Sequence, residues 1–131
     1  MTEADLTTPS PSGFESVHLV DHAPEGAVLE SAGLRVATLD GAAVNGKQGL
    51  MAALSDSFEL PDYFGANWDA LDEVLRDLSW LDAGGHVLIV SRGEDLWRRE
   101  PELTGMLVSV WTGAAREWAE RGAPFHLVFA R

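Results

Sequence analysis

The stretch LPDYFGANWDALDEVLRDL, residues 60–78, joins an aromatic loop to an amphipathic helix. Asn67 suits the N-cap position, because its side-chain oxygen can accept a free amide of the first helical turn. Apolar side chains then recur at helical spacing and are predicted to face the core: Trp68, Leu71, Val74, Leu75 and Leu78. The opposite face of the same helix is left to charged residues.

Three of those charged residues, Asp69, Glu73 and Asp77, follow each other at intervals of four and stack along one line of the helix. Each like-charged pair at this spacing costs an isolated helix roughly 0.2–0.5 kcal/mol. Arg76 is the only base nearby and lies closest to Asp72. A solvated acidic face is one interpretation; the aromatic, glycine-bearing loop directly before it favours a binding surface, whose carboxylates should be exposed and unpaired.

The whole chain is acidic, with 9 Lys and Arg against 21 Asp and Glu and a net charge of −12 over 131 residues. Such a field repels nucleic acids and anionic membranes and attracts basic proteins. Without cysteine, an apolar spanning run or a basic-then-apolar leader, a cytoplasmic protein with one domain is expected.

We expect neither a cofactor nor a bound metal. The four histidines show no metal-ligand spacing, and the P-loop-like run from Gly41 to Gln48 has glutamine where the motif needs a magnesium-binding Ser or Thr. His86 and His126 fall in predicted strands and are interpreted as residues at the edge of the core.

Elements along the chain predict an α/β fold in which a three-stranded parallel sheet is packed with helices. Strands are expected near 34–39, 86–90 and 125–129, and a long helix should run from Pro101 to a stop at Gly122. Residues 1–33 are interpreted as an N-terminal extension. Within it residues 1–13 should be disordered, and 14–33 should hold a weak strand and a short helix, before a domain spanning 34–131.

The central stretch resembles the signature of the barstar family, small inhibitors of secreted microbial ribonucleases of the barnase type. The resemblance rests on Leu60, Pro61, Tyr63, Phe64, Gly65, Asn67, Asp69, Ala70 and Leu71. It runs without a gap from about Val36 to Leu78 and returns in the last helix and strand. It implies the same fold, no enzymatic activity and no small-molecule substrate.

The resemblance also implies a set of residues that contact the partner. Asp69 and Glu73 match the two principal carboxylates, the second of which is usually an aspartate in the family. Glu117 matches a third acidic contact. The preceding loop contributes Tyr63, Gly65 and Asn67, with Tyr63 presented outward while Phe64 packs beneath.

Two residues depart from the family pattern. Asp72 stands where the short inhibitor has an aromatic contact residue, and Arg76 stands where it has a small one. Both would alter the rim of the interface and therefore the choice of target.

These features together predict an inhibitor that blocks a basic bacterial ribonuclease with acidic helix residues. One alternative is an immunity or regulatory protein that uses the same acidic face against a different basic toxin. A second alternative is an enzyme that uses the acidic cluster for catalysis. However, Asp69 and Glu73 are neighbours on one convex helix surface, whereas paired catalytic carboxylates face each other across a cleft.

Overall fold

A sheet of four parallel strands in the order β1-β4-β3-β2 forms the centre of the computed structural model, which describes residues 5–131. The strands are β1 (Val17–Val20), β2 (Leu34–Asp40), β3 (Gly85–Ser91) and β4 (Phe125–Ala130). The parallel α/β fold is confirmed, and the expected three strands are corrected to four. In β1, apolar and polar residues alternate only weakly. The strand is hydrogen-bonded to β4, which lies at the other end of the chain.

Among residues 5–131, five helices pack around the sheet. They are α1 (Gly26–Ser31), α2 (Gly46–Phe58), α3 (Trp68–Asp77), α4 (Gly93–Arg99) and α5 (Pro101–Glu120). Short 3-10 turns at Phe14–Ser16 and Gly41–Ala43 complete the elements. Within residues 5–131 no helix is both long and apolar enough to cross a membrane.

Local signals explain where these helices begin and end. The Asn67 side chain accepts a hydrogen bond of 2.8 Å from the Ala70 amide and caps α3, as expected. Pro101 occupies the first turn of α5, and Gly122 follows its end with a φ of +75°. By contrast, the Asn45 side chain makes no capping hydrogen bond at the start of α2.

The two faces of the sheet bury different sets of apolar side chains. The larger core lies between the sheet and helices α2, α3 and α5, and includes Leu88, Leu127 and the stacked pair Trp111 and Phe125, whose ring centroids lie 4.1 Å apart. The smaller core lies on the other face, where Leu6 of the N-terminal segment and Leu29 of α1 pack with the sheet side chains Leu34, Val87, Ile89 and Val128. The helices of the larger core carry the acidic surface.

Residues before the first strand pack against the smaller core. Of the segment expected to be disordered, residues 1–4 lie outside the described residues, whereas residues 5–13 form turns in which Leu6 and Ser10 are buried. The Thr8 carbonyl lies 2.7 Å from His126 Nε2. The division of the chain at residue 33 into an extension and a domain stays a prediction.

Candidate functional site

The loop before α3 turns back on itself and presents one aromatic side chain. The Phe64 amide donates a hydrogen bond of 2.9 Å to the Pro61 carbonyl, which closes a turn with Tyr63 at its tip. Tyr63 is 77% exposed, whereas Phe64 packs against the larger core. The two aromatic residues therefore divide as expected, one facing solvent and one anchoring the loop.

The junction between this loop and α3 is held by the same asparagine that caps the helix. The Asn67 side chain accepts from the Ala70 amide through Oδ1, and its Nδ2 donates to the Gly65 carbonyl at 3.4 Å. Ala66, between them, has a φ of 51°, a left-handed conformation that non-glycine residues rarely adopt. Gly65 and Asn67 are both exposed, so their polar groups are accessible to a partner.

The acidic row on α3 (Asp69, Glu73 and Asp77) points into solvent. All three side chains are exposed, and none forms a hydrogen bond or an ion pair with any residue from 5 to 131. The buried face of α3, which includes Leu71 and Leu75, fixes the helix against the core and thereby fixes the row's orientation. The row meets the expectation of exposed, unpaired carboxylates.

Two further carboxylates beside the row, Asp72 and Glu117, are already paired with Arg76. Arg76 Nε donates to Asp72 Oδ1 at 3.0 Å, and Arg76 Nη1 donates to Glu117 Oε2 on α5 at 2.7 Å. The hydrogen bond from Arg76 lowers the pKa of Glu117, and the bond to Glu117 is also the main reason that the pKa of Arg76 is raised. Glu117, which the resemblance gives as a third acidic contact, is therefore engaged within the molecule.

Three further contacts hold this ion-pair network in place. A β-carbon at Gly113 would lie 2.9 Å from Arg76 Nη2, so the missing side chain leaves room for the guanidinium against α5. Arg121 Nη2 approaches Glu117 Oε1 at 3.4 Å. The Trp118 indole donates a buried hydrogen bond of 2.8 Å to the Leu75 carbonyl, which joins α5 directly to α3.

The structure thus brings all the expected contact residues onto neighbouring parts of one surface: the loop (Tyr63, Gly65, Asn67), α3 (Asp69, Asp72, Glu73, Arg76) and α5 (Glu117). Sequence reasoning missed Gly113 and Arg121. The spacing of Glu117 and Arg121, four residues apart on one helix, indicates their pairing. No local signal indicates the contact between Gly113 and Arg76, because it joins two helices that are distant in sequence.

Among residues 5–131, no three His, Asp or Glu side chains are arranged to hold a metal ion. His86 is fully buried in β3, and burial lowers its pKa to about 4. His126 in β4 is also buried, and its Nδ1 lies 2.9 Å from His18 Nε2.

Comparison with known families identifies one match. The model of the family described as "Barstar (barnase inhibitor)" matches residues 34–130, well over half of the chain. Comparison with curated proteins returns no match. Proteins of the matched family are non-enzymatic inhibitors, which removes the alternative of an enzyme that uses the acidic cluster.

Proposed function

Because the chain belongs to the barstar family of barnase inhibitors, we propose that it inhibits a basic microbial ribonuclease by covering its active site with the acidic row on α3. The observation that carries the proposal is the exposure of Asp69 and Glu73 on a helix fixed against the core, without an intramolecular partner among the described residues.

The proposed mechanism is mimicry of RNA phosphates. A ribonuclease holds the phosphates of its substrate with cationic side chains, and a carboxylate can accept the same charge-assisted hydrogen bonds. Asp69 and Glu73 lie one helical turn apart, so they can occupy two neighbouring cationic positions. The free energy that repulsion along the row costs the isolated helix would be recovered when the cleft neutralises it.

The loop and the ion-pair network would form the edges of the same interface. Tyr63 offers an exposed ring with a polar tip, and Gly65 and Asn67 offer accessible backbone and amide groups. On the other side, Asp72, Arg76 and Glu117 would meet the partner as an internally paired group. The cytoplasmic location predicted from the sequence stays a prediction.

Titration of a ribonuclease with the purified chain tests this proposal. Barnase, named in the family's description, is the natural first enzyme. We expect hydrolysis of RNA to stop at one chain per enzyme, and the association rate constant to fall as salt concentration rises. Full barnase activity at a large excess of the chain would exclude barnase as the target.

A second candidate function keeps the surface and changes the partner to a different basic toxin. Arg76 favours it, because its guanidinium places a positive charge inside an otherwise acidic surface. In that case the chain would leave barnase active and bind another basic protein at the same site. Loss of that binding on Asp69→Asn would identify the shared surface.

A further inference from the structure

Arg76 divides the acidic surface into two parts with different electrostatic properties. On one side, Asp69, Glu73 and Asp77 are exposed and have no ion-pair partner among residues 5–131. On the other, Asp72 and Glu117 both bond to the same guanidinium, at 3.0 and 2.7 Å. Because the Arg76 side chain is still 35% exposed, a docking protein would meet its positive charge.

We propose that Arg76 is a specificity-determining residue, which withholds Asp72 and Glu117 from the cations of a partner. The surface then selects a protein with cations opposite Asp69 and Glu73 and a neutral or acidic group opposite Arg76. This inference rests on the proposed function, since it concerns the same surface.

The geometry gives two reasons for this selectivity. A partner cation that approaches Glu117 meets a carboxylate whose charge is already shared with Arg76, so the gain from a new bond is reduced. The same cation also experiences repulsion from Arg76. Like charges placed opposite each other across an interface disfavour a partner strongly.

Gly113 leaves space for the Arg76 guanidinium against α5. A side chain at this position would meet Arg76 Nη2 at 2.9 Å and push the guanidinium away from α5. Gly113→Ala should therefore displace the guanidinium and weaken its bond to Glu117 without changing any charged residue. Gly105→Ala is the matched control, because it lies in the same helix and an added β-carbon there meets nothing within 4 Å.

The test is a double-mutant cycle with barnase as the probe. Dissociation constants are measured for the wild type, Arg76→Ala, Glu117→Gln and the double variant. We expect Glu117→Gln to weaken binding at least 10-fold more in the Arg76→Ala background than in the wild-type background. Gly113→Ala, which shifts the guanidinium but keeps its charge, should change this cycle in the same direction as Arg76→Ala and by a smaller factor, whereas Gly105→Ala should leave it unchanged. An equal cost of Glu117→Gln in both backgrounds would overturn the inference.

A second measurement keeps the inference separable from the proposed function. An NMR titration of the Glu117 carboxyl without any partner should show a lower pKa in the wild type than in Arg76→Gln; equal values would overturn the inference.

If the pKa values differ but Asp69→Asn leaves barnase binding unchanged, the proposed function is wrong. If neither the wild type nor Arg76→Ala binds barnase, both are overturned for this enzyme. Binding by Arg76→Ala alone would support the inference directly.

Discussion

Replacing His86 by leucine should make the protein more stable and less sensitive to acid. His86 lies in the central strand β3, is 0% exposed, and forms no hydrogen bond through either ring nitrogen with a residue from 5 to 131. Its ring is surrounded by aromatic side chains, with Trp118 at 5.3 Å and Phe125 at 6.0 Å between ring centroids. Leucine is similar in size and adds no polar atom.

The expected change in the free energy of unfolding with pH follows from the burial and the pKa of His86. Burial, with a smaller effect from the Arg35 charge, lowers this pKa from 6.5 to about 4 in the folded protein. Above pH 6.5 the imidazole is neutral in both states. Between pH 6.5 and 4 the unfolded chain binds a proton that the folded chain does not bind. The free energy of unfolding therefore falls by about 1.4 kcal/mol per pH unit, or roughly 3 kcal/mol in all.

Urea unfolding followed by circular dichroism from pH 7.5 to 4.5 measures this difference. His86→Leu should gain about 1–3 kcal/mol at pH 7.5, because a buried ring without hydrogen bonds has been removed. Its advantage over the wild type should then grow as the pH falls. His22→Gln, at an exposed position, should leave the pH dependence unchanged. Parallel stability curves for the wild type and His86→Leu would refute the reasoning.

Two further predictions concern stability and use neighbouring or equivalent positions as controls. Asn67→Ala removes the hydrogen bond to the Ala70 amide and should cost about 1 kcal/mol in urea unfolding, whereas Asn45→Ala, which removes no capping bond, should cost less. An equal cost would show that the cap of α3 contributes nothing. Leu29→Ala should lower the free energy of unfolding by about 2–4 kcal/mol, because Leu29 is buried in the smaller core, whereas Val28→Ala, at a position 61% exposed, should change it little. Loss of less than about 1 kcal/mol on Leu29→Ala would mean that the segment before residue 34 adds little to the fold.

Much of the fold could be predicted because its signals are local. The apolar spacing and the Asn67 cap define α3, Pro101 and Gly122 bound α5, and the continuous apolar run after residue 85 indicates an interior strand. β1 could be predicted only weakly, because its four residues acquire their hydrogen bonds from β4. Asn45 and Gln48 have the residue types and spacing of a capping box, but the Asn45 side chain makes no capping hydrogen bond, so residue type at the right spacing is not sufficient there.

The residues of the candidate site could be predicted from the sequence, whereas the ion pairs among them could be predicted only in part. The exposure of Asp69 and Glu73 follows from the amphipathic pattern of α3, and the bond between Asp72 and Arg76 follows from their spacing. The bond between Arg76 and Glu117 depends on how α5 packs against α3, through contacts such as the hydrogen bond from Trp118 to Leu75. Sequence spacing within one helix carries no information about such a contact.

The measurement that tests the account most directly is the dissociation constant of the Asp69→Asn, Glu73→Gln double variant for barnase. Each lost charge-assisted hydrogen bond is worth about 1.5–3 kcal/mol, so we expect binding to weaken by roughly 200-fold or more. Stability should change by less than about 1 kcal/mol, because relief of repulsion along the row opposes the loss of Asp69 from the first turn. The control is the double variant Glu25→Gln, Glu30→Gln, which also removes two negative charges at exposed positions. These positions lie in or next to α1, on the opposite face of the sheet. It should bind nearly as tightly as the wild type. Equal dissociation constants for the two double variants would contradict the account.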